Sequence, residues 1–194
     1  IKKERTMYWQ AVKEYPNHQY VTGEQQKPGT FMSDSTYAEA LDALVICCAD
    51  AAILHQGLWL IAKRAWEPQP DWWVIGGRMR KGELIEQALR RNLRRELHLD
   101  IPEDRLRSII GHYNLIWDTR AQEPTTNGCQ VFSITTAVHL SDEEKDRIQL
   151  NEEYADAQWV DPLYVIEHAD QFHPCSFRWH GISSDRSTIG KRSI

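Results

Sequence analysis

Hydrophobic and polar positions are arranged along this chain in short segments of two kinds. Segments of the first kind are continuous apolar runs or alternate apolar with polar residues, which is typical of strands. They lie at 44–49, 58–64, 72–75, 108–117 and 130–140. The second kind repeats apolar residues every three or four positions, which predicts a helix with one buried face. Its clearest stripe is Ile85, Ala88, Leu89, Leu93 and Leu97.

Capping signals predict two shorter helices. Ser141 is followed by three acids, and a serine cap with early carboxylates favours a helix start. Asp161-Pro162 predicts a second start, with the helix running to His168. Residues 35–41 are consistent with a helical turn. Strands therefore alternate with helices, which is typical of an α/β fold.

The same patterns divide the chain into three parts. Residues 1–34 form a polar N-terminal extension with a short helix predicted at 6–15. Residues 35–170 form one α/β domain, and 171–194 form a C-terminal tail whose aromatic residues pack on that domain. A chain of 194 residues is long enough for a proper core. An extension of this kind can pack on a partner subunit, so a homodimer is one possible assembly.

Charge and composition narrow the class of protein. The formal net charge is −5 and the isoelectric point is near 5.9, which argues against a nucleic-acid partner. The four cysteines have no metal-binding spacing, so reduced thiols of a cytoplasmic protein are the simplest interpretation. The longest apolar runs are far too short to span a bilayer, and no membrane partner is expected.

The segment between the strand at 72–75 and the main helix carries the candidate chemistry. A glycine loop directly before a helix start places backbone N–H groups and a positive dipole end where an anion can bind. Gly77 is followed after five residues by Glu83 and, after seven more, by Arg91; Glu96 then lies beside the apolar stripe. This spacing resembles the Nudix box. The resemblance implies a Nudix α/β/α sandwich with a mixed β-sheet.

Three positions depart from that box: Asn92 and Arg95 where it has glutamates, and His98 where it has a glycine. Nudix enzymes gather divalent cations on this helix. An arginine in place of a carboxylate raises the electrostatic cost of a second cation, so one Mg²⁺ (or Mn²⁺) is expected. The resemblance implies as ligands the Gly76 carbonyl, Glu96 and Glu153. Glu153 could equally be a solvated loop charge.

The thinned box is closest in pattern to the GDP-mannose mannosyl hydrolases. That resemblance implies a metal-dependent hydrolase of a nucleoside diphosphate linked to another moiety, with a nucleotide sugar as the first choice. Arg64, Arg78 and Arg91 would neutralise the diphosphate, and with Glu96 and Glu153 they form the expected catalytic set. Where those enzymes have a histidine base this chain has Tyr154, whose ordinary pKa of about 10 does not suit a base.

Two further residues are substrate-binding candidates. The resemblance places His112 on a strand that faces the site, and Trp117 at a loop position where a base or sugar could stack, as Trp66 also could. Packing is the alternative role for both tryptophans. The alternative function is a catalytically impaired Nudix-fold protein that binds a nucleotide or metabolite, which Asn92 and Arg95 favour.

Overall fold

The computed structural model describes residues 31–65, 71–168 and 172. Its helices are α1 (Asp34–Ala43), α2 (Ile85–Leu97), α3 (Asp142–Asp146) and α4 (Pro162–Glu167). Its strands are β1 (Ile46–His55), β2 (Leu58–Arg64), β3 (Trp72–Trp73), β4 (Ile75–Arg78), β5 (Ile109–Trp117), β6 (Cys129–His139) and β7 (Tyr154–Val160). The predicted helix at 6–15, Trp66 and all of the tail except residue 172 lie outside the described residues.

The seven strands form one mixed sheet. Its main path runs β3-β2-β1-β6-β5, while β4 pairs with β1 and β7 pairs with β2. The β1–β6 pair is parallel and the other pairs are antiparallel. Residues 48–51 of β1 pair with β4, and residues 53–55 pair with β2. This division of β1 brings the glycine loop of β4 into the middle of the sheet.

Alternate residues of β1 enter two separate cores. Ala49, Ala51 and Ile53 pack with the apolar stripe of α2 on one face. Ala52 and Leu54 pack on the other face, with residues that include Val165 of α4 and Phe172. Helices therefore cover both faces of a mixed sheet, and the predicted α/β sandwich is confirmed. No helix in the described parts of the chain is long and apolar enough to cross a membrane.

Two predicted strands have different limits in the structure. β1 continues to His55 instead of ending at Ala49, because pairing with β4, β6 and β2 overrides the weak strand propensity of Asp50 and the alanines that follow. The aromatic run at 72–75 divides at Val74, because β3 pairs with β2 and β4 pairs with β1. Both differences come from long-range pairing that a local pattern does not contain.

Candidate active site

Gly76 pairs in register with Asp50 where β4 runs along β1. Its φ is +153°, and a Cβ atom at this position would collide with the Asp50 carboxylate and backbone, so only glycine fits. The Gly76 N–H donates to Glu96 Oε2 at 3.1 Å. The glycine loop is therefore held between Asp50 of β1 and Glu96 of α2.

Asn92 fixes the next residue of the loop. Its side chain is fully buried, and Nδ2 donates to the carbonyls of Gly77 at 3.1 Å and Ala49 at 3.4 Å. Its Oδ1 accepts from Arg91 Nη1 at 2.7 Å. Each polar atom of the Asn92 amide thus has a protein partner, and the residue joins the helix to β1 and the loop.

Arg91 is held within the protein by Glu83. Its Nε donates to Glu83 Oε1 at 2.5 Å and its Nη2 to Glu83 Oε2 at 2.7 Å. Nη2 also donates to the Arg78 carbonyl at 2.8 Å. Burial opposes ionisation of Glu83, but the Arg91 contacts outweigh it and lower the pKa of that carboxyl. The structure therefore uses Arg91 as a brace for the loop, and does not present it to a diphosphate as the sequence suggested.

Arg95 lies between the two carboxylates that were expected to bind metal. Its Nη2 donates to Glu96 Oε1 at 2.5 Å and is 3.4 Å from Glu153 Oε1. The Glu96 side chain is 0% exposed, whereas those of Arg95 and Glu153 are 46% and 41% exposed. The guanidinium thus covers a buried carboxylate from the solvent side.

Tyr154 contacts the other oxygen of Glu96. Its hydroxyl donates to Glu96 Oε2 at 2.5 Å. Burial, followed by the neighbouring Glu96 charge, raises the pKa of Tyr154 well above its ordinary value, so this phenol does not act as a general base near neutral pH. Burial also raises the pKa of Glu96, although Tyr154 and Arg95 both oppose that rise.

The expected metal set does not fit a divalent ion in this geometry. Glu96 and Glu153 do come together, but on either side of the Arg95 guanidinium, and Gly76 contacts Glu96 through its N–H. Both oxygens of Glu96 accept hydrogen bonds, while a divalent ion needs several free oxygen ligands. Among residues 31–65, 71–168 and 172, no group of three or more His, Cys, Asp or Glu side chains could hold a metal ion.

Arg64 and Arg78 lie close to the same loop. The Arg78 guanidinium is 4.2 Å from the centre of the Tyr37 ring, a cation–π contact. Arg78 is the last residue of β4 and pairs in register with Cys48 of β1. Arg64 is the last residue of β2 and pairs in register with Tyr154 of β7, whose hydroxyl contacts Glu96.

No carboxylate of the described residues forms an ion pair with Arg64 or Arg78. Arg90, Arg94 and Arg105 instead pair with Asp100, Glu103 or Glu144. Without a carboxylate partner in the described ranges, the guanidiniums of Arg64 and Arg78 can bind an anion such as a diphosphate.

His112 and Trp117 occupy different faces of β5. His112 is exposed and its ring centre is 5.6 Å from that of Phe132. β5 is two strands from β1, a distance of about 10 Å, so the structure does not bring His112 to the loop. Trp117 pairs in register with Cys129, and its ring centre is 5.9 Å from that of Trp73 in an edge-on contact.

Asp50 and Tyr37 are site residues that the sequence analysis missed. Asp50 is buried on β1 and accepts a hydrogen bond from the Ser133 hydroxyl, while burial raises the pKa of its carboxyl to about 7. A single acid within an alanine-rich strand is the only sequence signal for Asp50. Tyr37 belongs to α1, outside the loop motif, and no pattern indicated its contact with Arg78.

A family model described as the NUDIX domain matches residues 42–180. A search of curated proteins finds no match. Among solved structures, the MutT protein from Methanosarcina mazei Go1 is similar with a TM-score of 0.55 and 15% identity, covering 70% of this chain and 89% of that one. A MutT NUDIX hydrolase from Burkholderia pseudomallei is similar with a TM-score of 0.51 and 20% identity, covering 61% and 84%.

A third similar structure comes from Francisella tularensis. It is a bifunctional NMN adenylyltransferase/ADP ribose pyrophosphatase complexed with AMP and Mn ion, with a TM-score of 0.51 and 16% identity. The match covers 71% of this chain and 40% of that one. At these identities the structural likeness shows the fold alone.

Proposed function

Because the chain belongs to the Nudix domain family, we propose that it hydrolyses a nucleoside diphosphate linked to a second moiety, with a nucleotide sugar as the substrate class. The family match supports the predicted hydrolase. The linked group is proposed from the thinned box, which resembles that of the GDP-mannose mannosyl hydrolases.

One observation supports this proposal above the others: Arg78 directly follows the glycine loop, Arg64 pairs with Tyr154 of the site, and neither has a carboxylate partner in the described residues. Arg78 pairs in register with Cys48, and its cation–π contact with Tyr37 orients the guanidinium. Guanidinium groups bind phosphate oxygens through two parallel hydrogen bonds. Guanidinium groups that are in position before the reaction stabilise the negative charge that develops on a leaving diphosphate.

The other residues of the site hold the glycine loop in place and provide an aromatic surface for the substrate. Glu83, Arg91 and Asn92 hold the backbone of the loop from which the Arg78 side chain extends. Trp117 is half-buried against Trp73, and its indole could stack on a base or a sugar. His112 has no role in this proposal.

Nudix enzymes generally use a divalent metal, and the similar structure from Francisella tularensis holds a Mn ion. The expected site for Mg²⁺ or Mn²⁺ in this chain was Gly76, Glu96 and Glu153. In the structure Arg95 takes the position between those two carboxylates. We therefore assign no step of the reaction to a metal ion. Diphosphate binding and charge stabilisation are assigned to residues of the chain.

Binding of nucleoside diphosphates to paired variants tests the diphosphate site. We expect Arg78→Gln to weaken GDP, ADP or UDP affinity about tenfold or more, since a hydrogen bond to a charged group contributes about 1.5–3 kcal/mol. Arg80→Gln is the matched control, because Arg80 is on the same loop and also lies over an aromatic ring, that of Phe31 at 4.9 Å. Calorimetry showing equal losses in both variants would exclude Arg78 as the specific ligand.

A second candidate function is binding of a nucleoside diphosphate without turnover. The position of Arg95 over Glu96 favours it, because that contact neutralises the carboxylate of the helix. A panel of nucleotide sugars, dinucleotides and triphosphates separates the two candidates. Diphosphate affinity that depends on Arg78, together with no product from any member of the panel, supports the second candidate.

A further inference from the structure

We propose that Arg95 is a resident cation that replaces the divalent ion between Glu96 and Glu153. The protein would then bind a nucleoside diphosphate without a metal. The part of this inference that concerns metal exclusion is independent of the proposed function. The part that concerns the diphosphate rests on it.

The first argument is the charge of Glu96. A buried carboxylate needs a cationic partner or several hydrogen bonds to remain ionised. Glu96 is 0% exposed, and Arg95 supplies the cation at 2.5 Å. A guanidinium is always charged in proteins, so Arg95 is a permanent cationic partner for this carboxylate.

The second argument is competition for the same oxygens. Glu96 Oε1 accepts from Arg95, and Oε2 accepts from Gly76 and Tyr154. A divalent ion would have to displace Arg95 from both carboxylates. The displaced guanidinium, tethered to α2, would stay near the ion and repel it.

The third argument is the orientation of Arg95 towards the glycine loop. A Cβ atom on Gly77 would lie 3.5 Å from Arg95 Nη2, so the guanidinium lies directly against this residue. Both carboxylate contacts of Arg95 use Nη2. A guanidinium has five N–H donors, and neither Nε nor Nη1 of Arg95 donates to a residue in the described ranges. These donors are available to phosphate oxygens.

Arg94 supplies a matched control on the same helix. It is adjacent to Arg95 in sequence and carries the same charge, but its side chain is 60% exposed and pairs with Asp100 at 3.6 Å. Replacing Arg94 changes the net charge of the protein as much as replacing Arg95 does. Any difference between the two variants therefore reports the position of the charge.

The test is a Mn²⁺ titration by calorimetry of wild type, Arg95→Gln, Arg94→Gln and the double variant Arg95→Gln/Glu96→Gln. We expect Arg95→Gln to bind Mn²⁺ about tenfold or more tightly than wild type, because it frees a carboxylate and removes a repulsion. Arg94→Gln should match wild type, and the double variant should lose the gain. Wild-type Mn²⁺ affinity equal to that of Arg95→Gln would overturn the proposal.

Two further measurements decide the case if Arg95→Gln does not fold. Arg95→Lys keeps the charge and should not gain Mn²⁺ affinity. GDP should bind wild type with an affinity that changes less than about twofold when EDTA is added. Loss of GDP binding in EDTA would overturn the metal-free site. If neither GDP, ADP nor UDP binds under any condition, the proposed function fails, while the Mn²⁺ titration still decides the role of Arg95.

Discussion

Asn92 places an amide at a fully buried position of α2 where the Nudix box has a carboxylate. The amide donates to two backbone carbonyls and accepts from Arg91, so it satisfies three polar groups of the site at once. A carboxylate of the same shape would direct an oxygen at those carbonyls. The hydrogen-bonding groups around position 92 therefore suit the amide of Asn92 better than the carboxylate of the Nudix box.

Asn92→Asp tests that match with almost no change of volume. We expect the free energy of unfolding to fall by about 1–3 kcal/mol at neutral pH, because the two carbonyls lose their donor. Urea denaturation measures this change. Asn114→Asp, at an exposed position of β5, should stay within about 0.5 kcal/mol of wild type. Equal stability of Asn92→Asp and wild type would contradict the hydrogen bonds described for Asn92.

The elements predicted from strong local signals agree with the structure to within a few residues. α2 has a continuous apolar stripe, α3 has the Ser141–Glu144 capping box, and α4 begins at an Asp-Pro pair. Local chemistry determines these ends. The extension of β1 and the break at Val74 depend on partners distant in sequence, so the pattern could not contain them.

An ion pair between Arg105 and Glu144 helps to attach the start of α3 to the rest of the molecule. Glu144 accepts from Arg105 Nη1 at 2.6 Å and Nη2 at 3.0 Å, and Arg105 also donates to the His139 carbonyl. The pKa of Glu144 is lowered to about 2, and the hydrogen bond from Arg105 is the largest cause. An acid with a lowered pKa stabilises the fold above its unfolded pKa and loses that effect as the pH falls through its folded pKa.

We therefore expect Glu144→Gln to lower the free energy of unfolding by about 1–2 kcal/mol at pH 7. This loss is smaller than for a buried ion pair, because the Arg105 side chain is 40% exposed and solvent screens the interaction. The difference from wild type should shrink as the pH falls from about 4.5 towards 2. Denaturant titrations at several pH values measure it. The exposed Glu143→Gln is the control, and a pH-independent difference for Glu144→Gln would refute the ion pair as its cause.

At the scale of the whole molecule, a chain with a net charge of −5 places guanidinium groups around one glycine loop. The motif predicted the residues of that loop and of α2. The positions of Arg95 and Tyr154 on Glu96 could not be predicted, because they depend on how the start of β7 meets α2. Asp50 and Tyr37 belong to no motif, and only the assembled sheet reveals them.

The central claim is that this loop and its arginines hold the diphosphate of a nucleotide sugar that the protein hydrolyses. A ³¹P NMR time course with GDP-mannose, UDP-glucose and ADP-ribose, for wild type, Arg78→Gln and Arg80→Gln, tests it most directly. We predict that wild type and Arg80→Gln release a nucleoside diphosphate from at least one substrate, and that Arg78→Gln does so about tenfold or more slowly. Unchanged spectra with all three nucleotides, or equal rates for both variants, would contradict this claim.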